Sequence, residues 1–282
     1  MEFPKNLILV RHGLSEHNLA RIRSKNGNND DWKTKFSLKH TSKYRLTDIG
    51  IEQAQLCGEF IKENICDNFD YYFTSEYTRT LETSYYLDFK NAEWQIDFTI
   101  RERDKGIFSG INEEDKKKYI SELDRKNKDD FYWAPLGGES IAELCQRVDR
   151  FLEYIKKECN NKNIIIVTHG TIMEAFRMRL ENKTHLDYST IKKQKIKNCQ
   201  ILWYSSLHPI LNTKLEKLKW MSSICPYDHN NKIIWKPIIK KLYSNDELFD
   251  RFTNIERDVN NTEDEREIIC SFKNGCKRIL YN

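Results

Sequence analysis

Two short runs of consecutive apolar residues interrupt a chain that otherwise mixes polar and apolar positions: Leu7-Ile8-Leu9-Val10, followed by Gly13, and Ile164-Ile165-Ile166-Val167, followed by Gly170. Such runs, with no polar alternation, predict strands buried on both faces, as in a parallel sheet. Over residues 48–64 the period changes: Ile51, Ala54, Phe60 and Ile61 recur near helical spacing, and Thr47 stands where an N-cap belongs. Residues 71–74 read as a further strand. Residues 76–87 and 141–159 read as helices, the second burying Leu144, Val148, Phe151, Leu152 and Ile155. Helices alternating with strands predict an α/β domain of three layers, a mostly parallel central sheet flanked by helices. In such a domain ligands gather at the carboxyl ends of the strands. Arg11-His12-Gly13 and Thr168-His169-Gly170 both fall at such ends.

Residues 24–44 break the pattern. They are polar, rich in Lys, Asn and Asp, and predict an excursion over the surface near the pocket mouth. After Tyr204 the pattern changes again, with lysine dominating residues 183–241 and acids dominating 246–267. The expected organisation is therefore a domain over residues 1–204 and a C-terminal extension over 205–282 of unassigned role.

Composition adds bounds rather than a function. The 282 residues are 39% hydrophobic, enough for a real core, and 32% charged with a net charge of +4. A balance so close to neutral demands neither nucleic acid nor a membrane as partner. The lysine-rich stretch carries tryptophans and apolar residues that fit packing better than a polyanion. Eight cysteines without a Cys-x-x-Cys pair or zinc spacing read as reduced thiols. No metal and no other cofactor is expected. The opening run at residues 6–10 is too short for a signal-peptide core, and no later run is long enough to cross a bilayer; the expected location is cytoplasmic.

The candidate chemistry emerges from ordered motifs. Leu9-Val10-Arg11-His12-Gly13-Leu14-Ser15-Glu16-His17-Asn18 closes the first strand. Leu46-Thr47-Asp48-Ile49-Gly50, Thr74-Ser75-Glu76-Tyr77-Thr78-Arg79 with Thr83, Arg101-Glu102-Arg103-Asp104-Lys105-Gly106, Pro135-Leu136-Gly137-Gly138-Glu139-Ser140 with Arg147, Val167-Thr168-His169-Gly170 and Asn198-Cys199-Gln200-Ile201 follow in order. This series resembles the histidine phosphatase superfamily, the phosphoglycerate-mutase-like enzymes, across residues 7–204. The resemblance implies that Glu102 is the proton donor and that Gly170 joins Arg11, Asn18 and Arg79 in binding the phosphate.

The residue types suit that chemistry by themselves. A transferring phosphoryl group spreads charge over three oxygens, so a metal-free site needs several fixed cations and donors. Arg11, Arg79 and His169 supply them, and Asn18 adds a neutral donor. A neutral imidazole, with its other nitrogen held by a main-chain carbonyl near Gly13, makes His12 the candidate nucleophile. His17 reads as a wall residue, while His40, His185, His208 and His229 show no partner spacing. Arg101, Arg103 and Lys105 read either as a solvated loop or as a greeting for a second anionic group.

Family mutases acting on phosphoglycerates carry an arginine pair and a proline run between the acid and the Gly-Glu-Ser segment. Here that interval reads Asn127-Lys128-Asp129-Asp130-Phe131-Tyr132-Trp133-Ala134-Pro135-Leu136 and is more similar to the broad-range acid phosphatases. The expected activity is hydrolysis of a small phosphorylated substrate. Phosphoglycerate mutase activity and a catalytically silent binding or scaffolding protein are the alternatives, and the oligomeric state is open.

Overall fold

The computed structural model describes residues 3–228 and 232–253. It divides into two units, Met1–Lys240 and Lys241–Asn282. In the second, one helix is described, Asn245–Thr253. His229, Cys270, Cys276 and most of the acidic stretch 246–267 lie outside the described residues.

In chain order the first unit contains β1 (Asn6–Arg11), α1 (Glu16–Lys25), α2 (Asp48–Asn64), β2 (Tyr71–Thr74), α3 (Thr78–Tyr86), β3 (Trp94–Ile96), α4 (Glu113–Lys116), α5 (Ile120–Lys128), α6 (Ile141–Glu158), β4 (Asn163–Thr168), α7 (Gly170–Leu180), α8 (Tyr188–Lys193), β5 (Ile201–Ser205), β6 (Trp220–Ile224) and β7 (Lys236–Pro237). The strands form one sheet in the order β3-β2-β4-β1-β5-β6-β7. The first four are mutually parallel, and β5, β6 and β7 add on antiparallel. The expected division at residue 204 thus falls inside the sheet. Trp203 pairs with Ser222 and Met221 with Lys236, because the apolar side chains of β6 continue the core beyond β5.

Side-chain alternation explains why the two apolar runs tolerate no polar residue. Leu7 and Leu9, with Ile164 and Ile166, pack under α6 and α7 against Leu144, Val148, Phe151, Ile155, Ile172 and Phe176. Ile8 and Val10, with Ile165 and Val167, face the other way, onto Ala54, Cys57 and Ile61 of α2 and onto Leu87. Burying each of these side chains contributes roughly 1.5–3 kcal/mol. Local chemistry sets the helix starts: the Thr47 side chain accepts from Gly50 N, and Ser15 and Ser140 form reciprocal capping boxes with Asn18 and Glu143. The parallel register sets Val10 beside Val167 and Arg11 beside Thr168, while Thr74 pairs with Val167 from the other side. The chain therefore leaves all three strands at one edge, at His12, His169 and Ser75.

Cys57, Cys66, Cys145, Cys159, Cys199 and Cys225 are free thiols. Among the described residues, no helix is long and apolar enough to cross a membrane.

Candidate active site

His12 follows β1 in a turn that depends on two glycines. A Cβ on Gly13 would lie 2.3 Å from the Gly50 carbonyl oxygen, and one on Gly50 would lie 2.1 Å from that of Leu14. Only bare backbone lets the start of α2 press this closely on the turn. Gly13 N donates to Thr83 Oγ1 at 3.0 Å, tying the turn to α3.

The imidazole of His12 is 2% exposed. Its Nδ1 lies 2.7 Å from Gly13 O. A carbonyl only accepts, so Nδ1 carries the proton and Nε2 keeps a lone pair. Arg79 Nε donates to that lone pair at 3.1 Å. Burial first, then the charges of Arg79 and Arg11, hold the His12 pKa well below its usual 6.5. The ring is neutral at physiological pH, with its lone pair aimed among cations.

His169 packs edge-on to His12, ring centroids 5.3 Å apart. Its Nε2 lies 2.8 Å from Ser75 Oγ, and its Nδ1 is buried with no hydrogen-bond partner among the described residues. Burial, then Arg79, His12 and Arg11, lower its pKa well below 6.5.

Arg79 reaches the site from the first turn of α3. Its Nη1 donates to Thr41 O at 2.8 Å, and its guanidinium lies 4.7 Å from the centroid of Tyr77. Burial lowers its pKa to about 10, which leaves it charged. Arg11 Nη1 donates to Ile196 O at 2.5 Å, while its buried Nε has no partner among the described residues. Gly170 opens α7 against this guanidinium: a Cβ there would come within 3.3 Å of Arg11 Nε.

The four residues expected at the centre, Arg11, His12, Arg79 and His169, are thus together. Asn18 joins them through Asn198, whose Nδ2 donates to His12 O at 2.9 Å and to Asn18 Oδ1 at 3.2 Å. With that oxygen fixed, the Asn18 amide nitrogen stays available as a donor.

Glu102 is half-buried and accepts from Arg103 N at 2.8 Å. Its charge is the largest raising influence on the pKa values of Arg79, Arg11 and Lys105, so it faces the same space. The loop that carries it is fastened by Arg147, which grips both oxygens of Glu139 at 3.0 and 2.9 Å and donates to the carbonyls of Thr99 and Arg101. Arg103 is spent on the carbonyls of Glu139 and Trp133, and Arg101 lies 3.8 Å from the centroid of Phe98. Of the three cations on this loop, Lys105 alone is left without a protein partner among the described residues.

The excursion 24–44 contributes three short 3-10 turns, Asp30–Lys33, Lys35–Leu38 and Thr41–Lys43. Its Tyr44 is fully buried and stacks on His17 at 5.1 Å. Burial and the surrounding cations take the His17 pKa down to about 2, so it is a neutral wall. Ser75, Thr83, Asn198, Ile196 and Thr41, which hold the central groups, carried no expected role. Ser75, Thr83 and Asn198 belonged to the quoted motifs, whereas Ile196 and Thr41 act through carbonyls that no residue type announces.

Across residues 7–208 the chain matches the histidine phosphatase superfamily (branch 1), and it belongs to that superfamily. It is 30% identical over 195 residues to a 2,3-bisphosphoglycerate-dependent phosphoglycerate mutase of Cytophaga hutchinsonii, covering 65% of this chain and 83% of that protein. A mutase of the same name from Methylocella silvestris is 29% identical over 185 residues, covering 63% and 82%. The crystal structure of the α-ribazole phosphatase of Shigella flexneri superposes with a TM-score of 0.57 at 20% identity, over 76% of this chain and 95% of that one, a likeness of fold.

Proposed function

We propose that the protein is a phosphomonoester hydrolase working through a phosphohistidine on His12. The observation that carries this reading is the His12 lone pair: Nδ1–H is held by the Gly13 carbonyl, and Nε2 points at the Arg79 guanidinium. A phosphate dianion entering the site takes over the Arg79 Nε–H. Arg11, His169 and the Asn18 amide complete its surroundings, as do the first-turn amides of α7, where the N-cap His169 makes no side-chain capping bond. His12 Nε2 attacks phosphorus, the bond to the ester oxygen breaks, and Glu102 delivers its proton to the departing alkoxide. Water then attacks the phosphohistidine, Glu102 recovers a proton, and inorganic phosphate leaves. Each developing charge meets a protein group, so the sequence of steps runs without a metal.

The preference for hydrolysis rests on the interval 127–136, which presents Phe131, Tyr132 and Trp133 where the family's mutases carry arginines. The mutases among the relatives support the competing reading. Phosphate release from a panel of phosphomonoesters tests the proposal, with acid-labile label trapped on His12 and lost in His12→Ala. Turnover is expected to survive EDTA and to stop with vanadate. Conversion of 3-phosphoglycerate to 2-phosphoglycerate without free phosphate would replace hydrolase by mutase.

A further inference from the structure

On the face of the sheet that carries α7 lies a cavity of about 540 Å³ that takes no part in the steps above. Small-molecule sites usually occupy about 300–1,000 Å³. Leu202 pairs with Ser223 and Met221 with Lys236, so β5, β6 and β7 turn alternate side chains toward it. Its floor is apolar, since Ile196, Leu202, Met221 and Ile238 are buried. Its one carboxylate among the described residues, Glu181, is already neutralised: Arg177 donates to both of its oxygens at 2.9 and 3.3 Å, and Tyr204 OH donates at 3.0 Å. Lys183, Lys195 and Lys236 also line the cavity, and their ammonium groups have no hydrogen bond or ion pair among the described residues. Three like charges are thus gathered over an apolar surface with no anion between them. An anionic ligand relieves their repulsion, and an apolar portion of that ligand covers the floor. A hollow of about 250 Å³ continues the cavity, sharing Lys195, Gln200 and Ser223 and adding Lys232, so the cationic track is longer than one phosphate needs.

The cavity also touches the phosphoryl pocket from behind. Ile196, in its floor, supplies the carbonyl that holds Arg11 Nη1 at 2.5 Å. Gln200, in its wall, supplies the carbonyl that accepts from Arg11 N at 3.1 Å. The Gln200 side chain is itself pinned, with Oε1 accepting from Lys197 N at 2.6 Å and Nε2 donating to Ser223 Oγ at 2.8 Å.

We propose that this cavity binds an organic polyphosphate, a ring carrying two or more phosphates, as an effector felt at Arg11. The phosphates meet Lys183, Lys195 and Lys236, and the ring lies on Leu202, Met221 and Ile238. Pressing on two residues whose carbonyls fix Arg11, the ligand alters the affinity of the phosphoryl pocket for phosphate analogues, and by linkage they alter its own. The site stands whether that pocket serves a hydrolase or a mutase.

The full chain is titrated calorimetrically with ATP in magnesium-free buffer, the phosphoryl pocket being filled beforehand with orthovanadate. One ATP is expected to bind, at least about tenfold more tightly than adenosine or tripolyphosphate, which reach only the floor or only the lysines. All three lysines are exposed, so Lys183→Gln/Lys195→Gln/Lys236→Gln is expected to fold and to bind vanadate as before. It should lose about tenfold or more in ATP affinity. ATP is expected to shift the vanadate affinity of the unaltered protein by about fivefold or more, and that of the triple variant not at all. Failure of ATP to bind the vanadate-filled protein overturns the proposal, as does an affinity that survives the triple substitution. Equal binding of tripolyphosphate rules out the ring. A vanadate affinity that ATP leaves unmoved, or moves equally in the triple variant through competition inside the phosphoryl pocket, rules out the effector role.

Discussion

The floor of the candidate site and its rim are built by opposite means. On the floor His12, Arg79 and His169 are 2%, 5% and 0% exposed. Their bonds, with those of Arg11, run to main-chain carbonyls, to the Ser75 hydroxyl and to one another: the carbonyls of Gly13, Thr41 and Ile196 each hold one side chain. On the rim Arg21, Lys116 and Glu113 bond side chain to side chain within reach of water, and Lys105 bonds to none of the described residues' side chains. Main-chain carbonyls can reorient only with the backbone that carries them, so the floor keeps its dipoles fixed while charge moves, which suits catalysis. The rim can exchange one of its own ion pairs for a ligand's anion, which suits discrimination among substrates.

Removing a floor group should therefore affect every substrate, and removing a rim group should affect only some. His12→Ala is expected to lower kcat by about 10³-fold or more on any phosphomonoester, leaving the residue that pocket binding alone contributes. Retained phosphate release would dissolve the distinction. Glu102→Gln, between floor and rim, is expected to lose about 10²-fold on alkyl phosphates. Its loss on p-nitrophenyl phosphate should be much smaller, because that leaving group departs without a proton. Equal losses on both would remove Glu102 from proton transfer.

Arg147→Ala touches neither region directly but unfastens the loop between them. Stripping a largely buried guanidinium from Glu139 is expected to cost about 3 kcal/mol in urea denaturation.

A pH-dependent effect on stability alone is expected at Glu174 on α7, whose Oε2 accepts from Tyr188 OH at 3.3 Å. Burial first, then Glu102, push its pKa up from 4.5 to about 7. The folded state thus holds a proton that the unfolded chain has already released. Stability contributed by the neutral carboxyl is lost as pH rises from the unfolded value through 7, and the penalty is complete above that. Glu174→Gln should accordingly raise stability at pH 8 by up to about 3 kcal/mol and change it little near pH 4. An equal gain at both would show that the carboxylate is not penalised by folding.

The sequence by itself determined the parallel strands, because four branched apolar residues in a row can be satisfied only with both faces buried. It determined the starts of α2 and α6, because Thr47, Ser140 and Glu143 act on amides within one turn. Arg11, His12, Arg79 and His169 were legible for a related reason: each sits within a short motif at a strand end or helix start. Tertiary structure alone decided which histidine nitrogen carries a proton, since that depends on the Gly13 carbonyl and on Arg79, 67 residues away in the chain. It alone decided that Trp220–Ile224 and Lys236–Pro237 continue the sheet, and that Arg101 and Arg103 are occupied while Lys105, among the described residues, is not. Those outcomes rest on carbonyl directions and long-range ion pairs, which depend on where the backbone lies rather than on residue type.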